Sequence, residues 1–305
     1  MKCRKCGREA VINMHQHKLA LCEKCFLEWV PERAQRTIEK HSMFGRDDRI
    51  LVAVSGGKDS LALWDILHCL GYEVHGIHIE LGIDGDGYSA KSLEKVAAFA
   101  KERGGLPFDV VDVKAEYGKS VPELARERKG RKVCSLCGLV KRHIMNRAAY
   151  SGGYSVIATG HNLDDEAAIL FQNSLRWQVG YLARQAPVLP SIDPRLARKA
   201  KPLCLLYERE MAAYALVRGI DYIYDECPHS TGSKTLYYKQ ILNQLDRRSR
   251  GAKLHFYSSF VRAKKEQGLF QQQVQDLQLS KCERCGQPTT APGLCAFCRL
   301  WEDRQ

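Results

Sequence analysis

Six consecutive residues, Ser55-Gly56-Gly57-Lys58-Asp59-Ser60, bring two glycines, two hydroxyls, an ammonium and a carboxylate into one turn. Such a set can grip phosphate. The apolar run Ile50–Val54 precedes it, and Leu61–Leu67, with helical spacing of apolar residues, follows it. A buried strand therefore runs through a glycine turn into a helix N-terminus. The first N–H groups of that helix have no partner within it, and they face an anion together with the positive end of the helix dipole. Lys58 adds a point charge, and Ser55 and Ser60 add hydroxyl donors. An ordinary strand–turn–helix junction needs neither the lysine nor both serines. The spacing also differs from G-x-x-x-x-G-K-S/T, which excludes the nucleoside-triphosphate P-loop.

The cysteines are the second source of chemistry. Cys3-x2-Cys6 is followed after fifteen residues by Cys22-x2-Cys25, and Cys282-x2-Cys285 after nine by Cys295-x2-Cys298. Each pair of knuckles can place four thiolates tetrahedrally around a Zn2+ that is closed to water and serves structure. Four thiolates complete the shell, so His15 and His17 between the first knuckles read as surface residues. A fifth pair, Cys134-x2-Cys137, follows the basic run Arg126–Lys132 and has no second pair at ribbon spacing. It reads as a pair of thiols preceding a helix near 138–150, where the N-terminus lowers a thiol pKa. Cys204, in Leu203–Leu206, reads as a small buried hydrophobe. Cys227, in a polar turn before Pro228, is the better partner for the mid-chain pair. Three thiols suit a 4Fe-4S cluster with one open iron, a redox pair carrying persulfide, or a zinc site completed by His229. Spacing leaves all three open.

A third cluster, Gly160-His161-Asn162-Leu163-Asp164-Asp165-Glu166, lies between a strand at 155–159 and a helix at 164–174. Asp164 resembles an N-cap, and the following acids complement the helix dipole. At the C-terminal end of a strand the same acids suit Mg2+ and phosphate handling. Asp84 and Asp86 lack the remaining ligands of a calcium loop, and calcium is excluded.

The elements that must position these groups alternate from Arg49 onward: strands at 50–54, 73–81, 108–113 and 155–159, with helices at 59–70, 90–103, near 138–150 and at 164–174. That alternation predicts an α/β fold, a parallel sheet with helices on both faces whose ligands sit outside the C-terminal strand ends. Pro31 opens a helical stretch to about Phe44. The domains expected are an N-terminal zinc ribbon (1–30), a linker helix (31–48), a catalytic domain (49–265), a linker (266–280) and a C-terminal zinc ribbon (281–305). Residues 175–203, with Arg176, Arg184, Arg195, Arg198, Lys199, Lys201, Trp177 and Tyr181, read as an irregular segment offering phosphate contacts and stacking surfaces to RNA. Tyr237, Tyr238, Ile241, Leu242 and Leu245 read as the core-facing side of a helix. The 305-residue chain carries a net charge of +12, which points to a nucleic-acid partner. No apolar run is long enough for a membrane span, and no signal-peptide core follows Met1, so a cytoplasmic protein is expected.

The turn at Ser55–Ser60 resembles the pyrophosphate loop (PP-loop) of the ATP-pyrophosphatase family, which splits ATP into AMP and pyrophosphate. With the mid-chain cysteines, Cys227, the Gly160–Asp165 cluster and a ribbon at each end, the chain resembles the tRNA 2-thiolation enzymes of the TtcA/TtuA group over nearly its whole length. The terminal ribbons favour the members acting on 5-methyluridine 54 and the related wobble-uridine enzymes over those acting on cytidine 32; 5-methyluridine 54 is the expected target, with wobble uridine 34 or cytidine 32 as alternatives. A nitrogen nucleophile, as in lysidine synthesis, is a further one. The resemblance implies ATP and Mg2+ at Ala53, Val54, Ser55, Gly56, Gly57, Lys58, Ser60, His78, Ile79, Gly160, Asp164 and Asp165. It favours a 4Fe-4S cluster on Cys134, Cys137 and Cys227. Adenylation of the uracil C2 oxygen and displacement of AMP by sulfur would use Lys58, Asp59 and Lys141. It also implies a thiocarboxylated ubiquitin-like sulfur carrier as donor, and a homodimer.

Overall fold

The computed structural model describes residues 1–83, 87–128, 132–230, 234–271 and 279–302. Residues 84–86, residues 129–131 of the basic run and residues 272–278 of the 266–280 linker lie outside them. The chain opens with β1 (Ile12–Met14) and β2 (Leu19–Leu21), an antiparallel pair, and α1 (Glu23–Lys40). Then come β3 (Ile50–Ala53), α2 (Lys58–Cys69), β4 (Val74–Glu80), α3 (Tyr88–Glu102) and β5 (Phe108–Asp112). Two short helices, α4 (Val113–Tyr117) and α5 (Val121–Glu127), lead to α6 (Val133–Ser151) and β6 (Val156–Ala158). Beyond these lie α7 (Leu163–Leu175), α8 (Val179–Arg184), β7 (Val188–Leu189), β8 (Arg198–Ala200) and α9 (Glu208–Val217). The chain continues with α10 (Lys234–Arg248), α11 (Ala252–Gln267) and the ribbon strands β9 (Ser280–Lys281) and β10 (Pro288–Thr289).

The central sheet has the order β5-β4-β3-β6-β8-β7, parallel except for β7. Successive strands leave β3 to one side through β4 and to the other through β6. The crevice between the C-terminal ends of β3 and β6 is therefore the switch point where such sheets bind ligands. Strand β3 is buried on both faces: Ile50 and Val52 join the core beneath α1, α2 and α7, while Leu51 joins the core beneath α6. That double burial is why this strand reads as an unbroken apolar run.

Four expectations about helices and strands need correction. Helix α1 begins at Glu23, eight residues before Pro31. Phe26, Val30, Ala34 and Ile38 form a buried stripe four residues apart, and this burial outweighs the backbone hydrogen bond that Pro31 cannot make. Helix α6 begins at Val133, so Cys134 and Cys137 lie on its first two turns and do not precede it. Here too a stripe, Leu136, Val140 and Ile144, sets the start. Residues 198–200 are not irregular but add a parallel strand beside β6. On α10 Leu242 joins the core and Tyr238 packs against it, while Tyr237 and Leu245 face solvent, so only part of that face is core.

Both terminal modules pack on the central domain. His17, expected at the surface, is instead half-buried, its Nε2 3.0 Å from the fully buried carboxylate of Glu210 on α9 and its ring beside Trp29 and Tyr207. At the other end Phe297 lies flat on His143 of α6, with ring centroids 3.7 Å apart. Arg128 donates to the carbonyls of Leu300 and Glu302 at 2.8 and 2.7 Å.

Burial, aided by Arg147, pushes the His143 imidazole down to about 4, whereas the unfolded chain binds that proton near 6.5. Between these values the unfolded state holds one more proton. Stability is then full above pH 6.5 and falls as the pH drops toward 4, by at most about 3 kcal/mol. Chemical denaturation from pH 7 to 4.5 should show this loss, and His143→Phe should lack that part of it.

Candidate functional site

The turn after β3 is held by its own side chains. The Ser60 hydroxyl donates to the Gly57 carbonyl at 2.9 Å and accepts from the Ser55 N–H at 3.1 Å. Ser92 of α3 donates to the Ser55 carbonyl at 2.6 Å. Gly56 has φ of +74°, and a Cβ there would stand 2.6 Å from the Ser92 carbonyl oxygen. Gly160 answers the same need from the opposite side: its Cβ would lie 2.8 Å from the backbone of Asp59. The β6 loop can thus press against the turn only because residue 160 has no side chain.

These loops open into a cavity of about 370 Å3. Ala53, Val54, Ser55, Asp59, Ser60, His78, Ile79 and Gly160 line it, as do Lys141, Cys137 and Cys227. Tyr88, Leu81, Ile83 and Met145 close its apolar side. Gly56, Gly57 and Lys58 form the turn beside the cavity. The anion-binding turn and two of the three mid-chain thiols therefore share one space. Cys134 is exposed one turn away, its thiol donating to the His229 carbonyl at 3.2 Å.

Electrostatics separate the residues into two groups. The Lys58 ammonium lies 2.9 Å from Asp59 and 3.0 Å from Glu208. Burial works against its charge, but the two carboxylates outweigh burial and raise its pKa. Asp59, which also accepts from the Asn162 amide at 3.1 Å, is pushed up by burial more than Lys58 pulls it down. His78 places Nδ1 3.0 Å from the Val54 carbonyl, so Nδ1 carries the proton, and burial keeps the ring neutral. Burial raises the Cys137 pKa, opposed by Lys141 one turn along α6.

Asp164 and Asp165 stand apart from the cavity. Asn162, fully buried, is the residue that caps α7: its side chain accepts from the N–H groups of Asp164 and Asp165, and Asp165 returns a bond to the Asn162 N–H. Asp165 pairs with Lys239 of α10 at 2.6 Å. Asp164 pairs with the buried Lys253 of α11 at 2.5 Å and accepts from the Glu208 N–H at 2.9 Å. Glu208, Lys239 and Lys253 were not expected from the sequence, nor was the capping role of Asn162. Their only signal was polarity within otherwise helical stretches, which a solvated face also shows. Replacing Lys253 by Met leaves the Asp164 carboxylate buried without a cation, and we expect a loss of about 3–5 kcal/mol. A lowered urea midpoint with an unchanged m-value would show it.

The donor sets also divide. The Sγ atoms of Cys3, Cys6, Cys22 and Cys25 lie within 4.8 Å of one another, as do those of Cys282, Cys285, Cys295 and Cys298. Zn–S bonds of about 2.3 Å place thiolates at this separation, so both sets fit one tetrahedral zinc. Among the described residues Cys134, Cys137, Cys227 and His229 form no such group. This argues against a preformed single-zinc site at the mid-chain cysteines.

A doubly covered parallel sheet, a phosphate turn at its switch point and thiols in the same cavity define an ATP-utilising enzyme of the PP-loop class. Residues 30–237 match the PP-loop domain family and residues 2–27 the N-terminal LIM domain of 2-thiouridine synthetase TtuA, and the chain belongs to this family. The tRNA-5-methyluridine(54) 2-sulfurtransferase of Thermus thermophilus is 50% identical over 99% of this chain and 91% of its own length. The protein of the same name from Pyrococcus horikoshii is 42% identical, over 99% and 94%. Among solved structures, the U34-tRNA thiolase NcsA from Methanococcus maripaludis with its 4Fe-4S cluster superposes with a TM-score of 0.77. It is 25% identical, with 87% of this chain and 89% of that one covered. No helix among the described residues is long and apolar enough to cross a membrane.

Proposed function

We propose that the protein is a tRNA 2-sulfurtransferase that converts 5-methyluridine 54 to its 2-thio form using ATP. The observation that carries this reading is the single cavity holding the Ser55–Ser60 turn together with Cys137, Cys227 and Lys141. In the balanced reaction the uracil C2 oxygen attacks the α-phosphorus and pyrophosphate leaves. Sulfur then bonds to C2, the C2–O bond breaks, and the oxygen departs with AMP. The N–H groups of the turn and Lys58 would hold the phosphates and offset the charge that builds on them. Asp59 would bind Mg2+, being the carboxylate that lines the cavity. Ala53, Val54, His78 and Ile79 would contact adenosine. The apolar wall of Leu81, Ile83 and Met145 would shield the activated base from water.

Cys134, Cys137 and Cys227 would hold a 4Fe-4S cluster, which when bound supplies the iron site that presents sulfur. Lys141 would steer an anionic sulfur species or a phosphate oxygen beside Cys137. The sulfur would come from a thiocarboxylated ubiquitin-like carrier protein, and the working form would be a homodimer in the cytoplasm. The 50% identity to the position-54 enzyme, against 25% to the position-34 thiolase, favours position 54.

The test is anaerobic purification with iron, sulfide and zinc analysis, followed by mass spectrometry of tRNA nucleosides from cells with and without the gene. The reading expects one 4Fe-4S cluster and two zinc ions per chain, and loss of 2-thiolation at position 54 without the gene. Loss at position 34 would change the substrate and keep the chemistry. A colourless, iron-free protein that still thiolates would overturn the cluster. Activity that survives replacement of all three mid-chain cysteines would favour the nitrogen-nucleophile alternative.

A further inference from the structure

One surface segment holds a strained aromatic residue that the fold does not bury. Trp177 has φ of +45°, a left-handed backbone that a bulky side chain adopts only under constraint, and yet its side chain is 73% exposed. Tyr181, one turn into α8, is 60% exposed, and the Arg184 guanidinium stacks on its ring at 5.4 Å. Arg176 is exposed beside them. The support beneath is rigid. Leu182 and Ala183 are buried, and Lys264 of α11 donates to the carbonyls of Ala183 and Gln185 at 2.7 and 3.0 Å. Residues 167–201 contain six basic residues and one acid, Asp193.

We infer that Trp177, Tyr181, Arg176 and Arg184 form a docking platform for the RNA substrate. This rests on the reading of the protein as a tRNA-modifying enzyme. The occupant follows from the chemistry. Exposed aromatic rings next to guanidinium groups stack unpaired bases and bind phosphate, and the near absence of carboxylates suits a polyanion. A contact between copies of the chain would instead place like charges against each other, because a two-fold interface sets the same patch on both sides. The platform is well placed. Helix α7 starts beside the loop that lines the cavity and ends at this patch, about 20 Å away for its thirteen residues. RNA held here would rest one part on the platform while presenting a flipped base to the cavity.

The test uses the full holoenzyme and a transcribed, unmodified tRNA. Binding is followed by anisotropy of labelled RNA and by quenching of tryptophan fluorescence. Trp177→Ala and Tyr181→Ala should each weaken binding about tenfold, and the quench should disappear in the first. Arg176→Ala and Arg184→Ala should each lower the slope of log Kd against log salt by about one. Zinc content and ATP binding should stay at wild-type values in all four. Wild-type affinity in the aromatic variants, with thiolation intact, would overturn the platform and leave the function standing. Loss of self-association in sedimentation, with RNA affinity unchanged, would assign the patch to a second copy and overturn it too. A wild-type holoenzyme that binds ATP but no tRNA would overturn the proposed function, and the platform with it.

Discussion

Cys137→Ser lowers the rate of tRNA thiolation by about 10³-fold or more, while tRNA-dependent release of pyrophosphate persists. The reasoning starts from position. Cys137 lies on the second turn of α6 and lines the cavity that the phosphate turn also lines. A serine hydroxyl is nearly isosteric but does not ionise near neutral pH, so it replaces neither a thiolate ligand nor a sulfur nucleophile. Activation of the base needs only the turn, Lys58 and the metal that ATP brings. The two halves of the reaction should therefore separate. Zinc analysis provides the control, since Cys137 belongs to neither tetrahedral set, and two zinc ions per chain should remain. Measuring pyrophosphate and 2-thiouridine in the same samples gives the ratio. A variant that loses both products equally would show that Cys137 acts earlier than proposed.

Lys58→Met has the second large effect, a fall in kcat/KM for ATP of about 10²–10³-fold. The ammonium is kept charged by Asp59 and Glu208, which outweigh the burial that opposes it. It is fixed at the first position of α2, where the dipole already favours phosphate. Its loss leaves Asp59 with Asn162 alone and Glu208 with Lys239, so the carboxylates keep partners. The thermal midpoint should fall far less than the activity. Initial rates over a range of ATP concentrations, with the same preparation loaded with iron, would measure the effect. Lys58→Arg should recover part of it, because the charge returns with a different reach.

The polar turn and the thiols that meet the cavity were readable from the sequence because their chemistry is local, whereas Tyr88, Leu81, Ile83 and Met145 on its apolar side were not. A glycine turn after an apolar strand and a glycine-rich loop after β6 each announce themselves within a few residues, and zinc knuckles carry their own spacing. What was not readable is long-range. The chain of polar contacts from the buried Lys253 through Asp164 to the half-buried Glu208 and Lys58 joins four elements, and nothing in a single segment signals it. Glu208 and Lys239 look in sequence like solvated helix residues. The sequence placed Asp164 at a metal site and at the cap of α7; the structure gives it Lys253, and the cap falls to Asn162, because the helix starts one residue earlier. His17 was misplaced for the same reason. Its partner, Glu210, lies 193 residues away, and a lone histidine between zinc knuckles gives no hint of burial. Short strands such as β8 have three residues, two of them basic, and only pairing with β6 gives them away.

The central claim is that one cavity both adenylates the uracil oxygen and replaces it with sulfur. It is tested most directly by a tRNA carrying 18O at C2 of the target uridine, turned over once with ATP and a sulfide source under anaerobic conditions. Mass spectrometry of the released AMP then reports where that oxygen went. The account predicts one 18O in the phosphate of AMP for every 2-thiouridine formed. AMP free of 18O, with the thiouridine still produced, would contradict it.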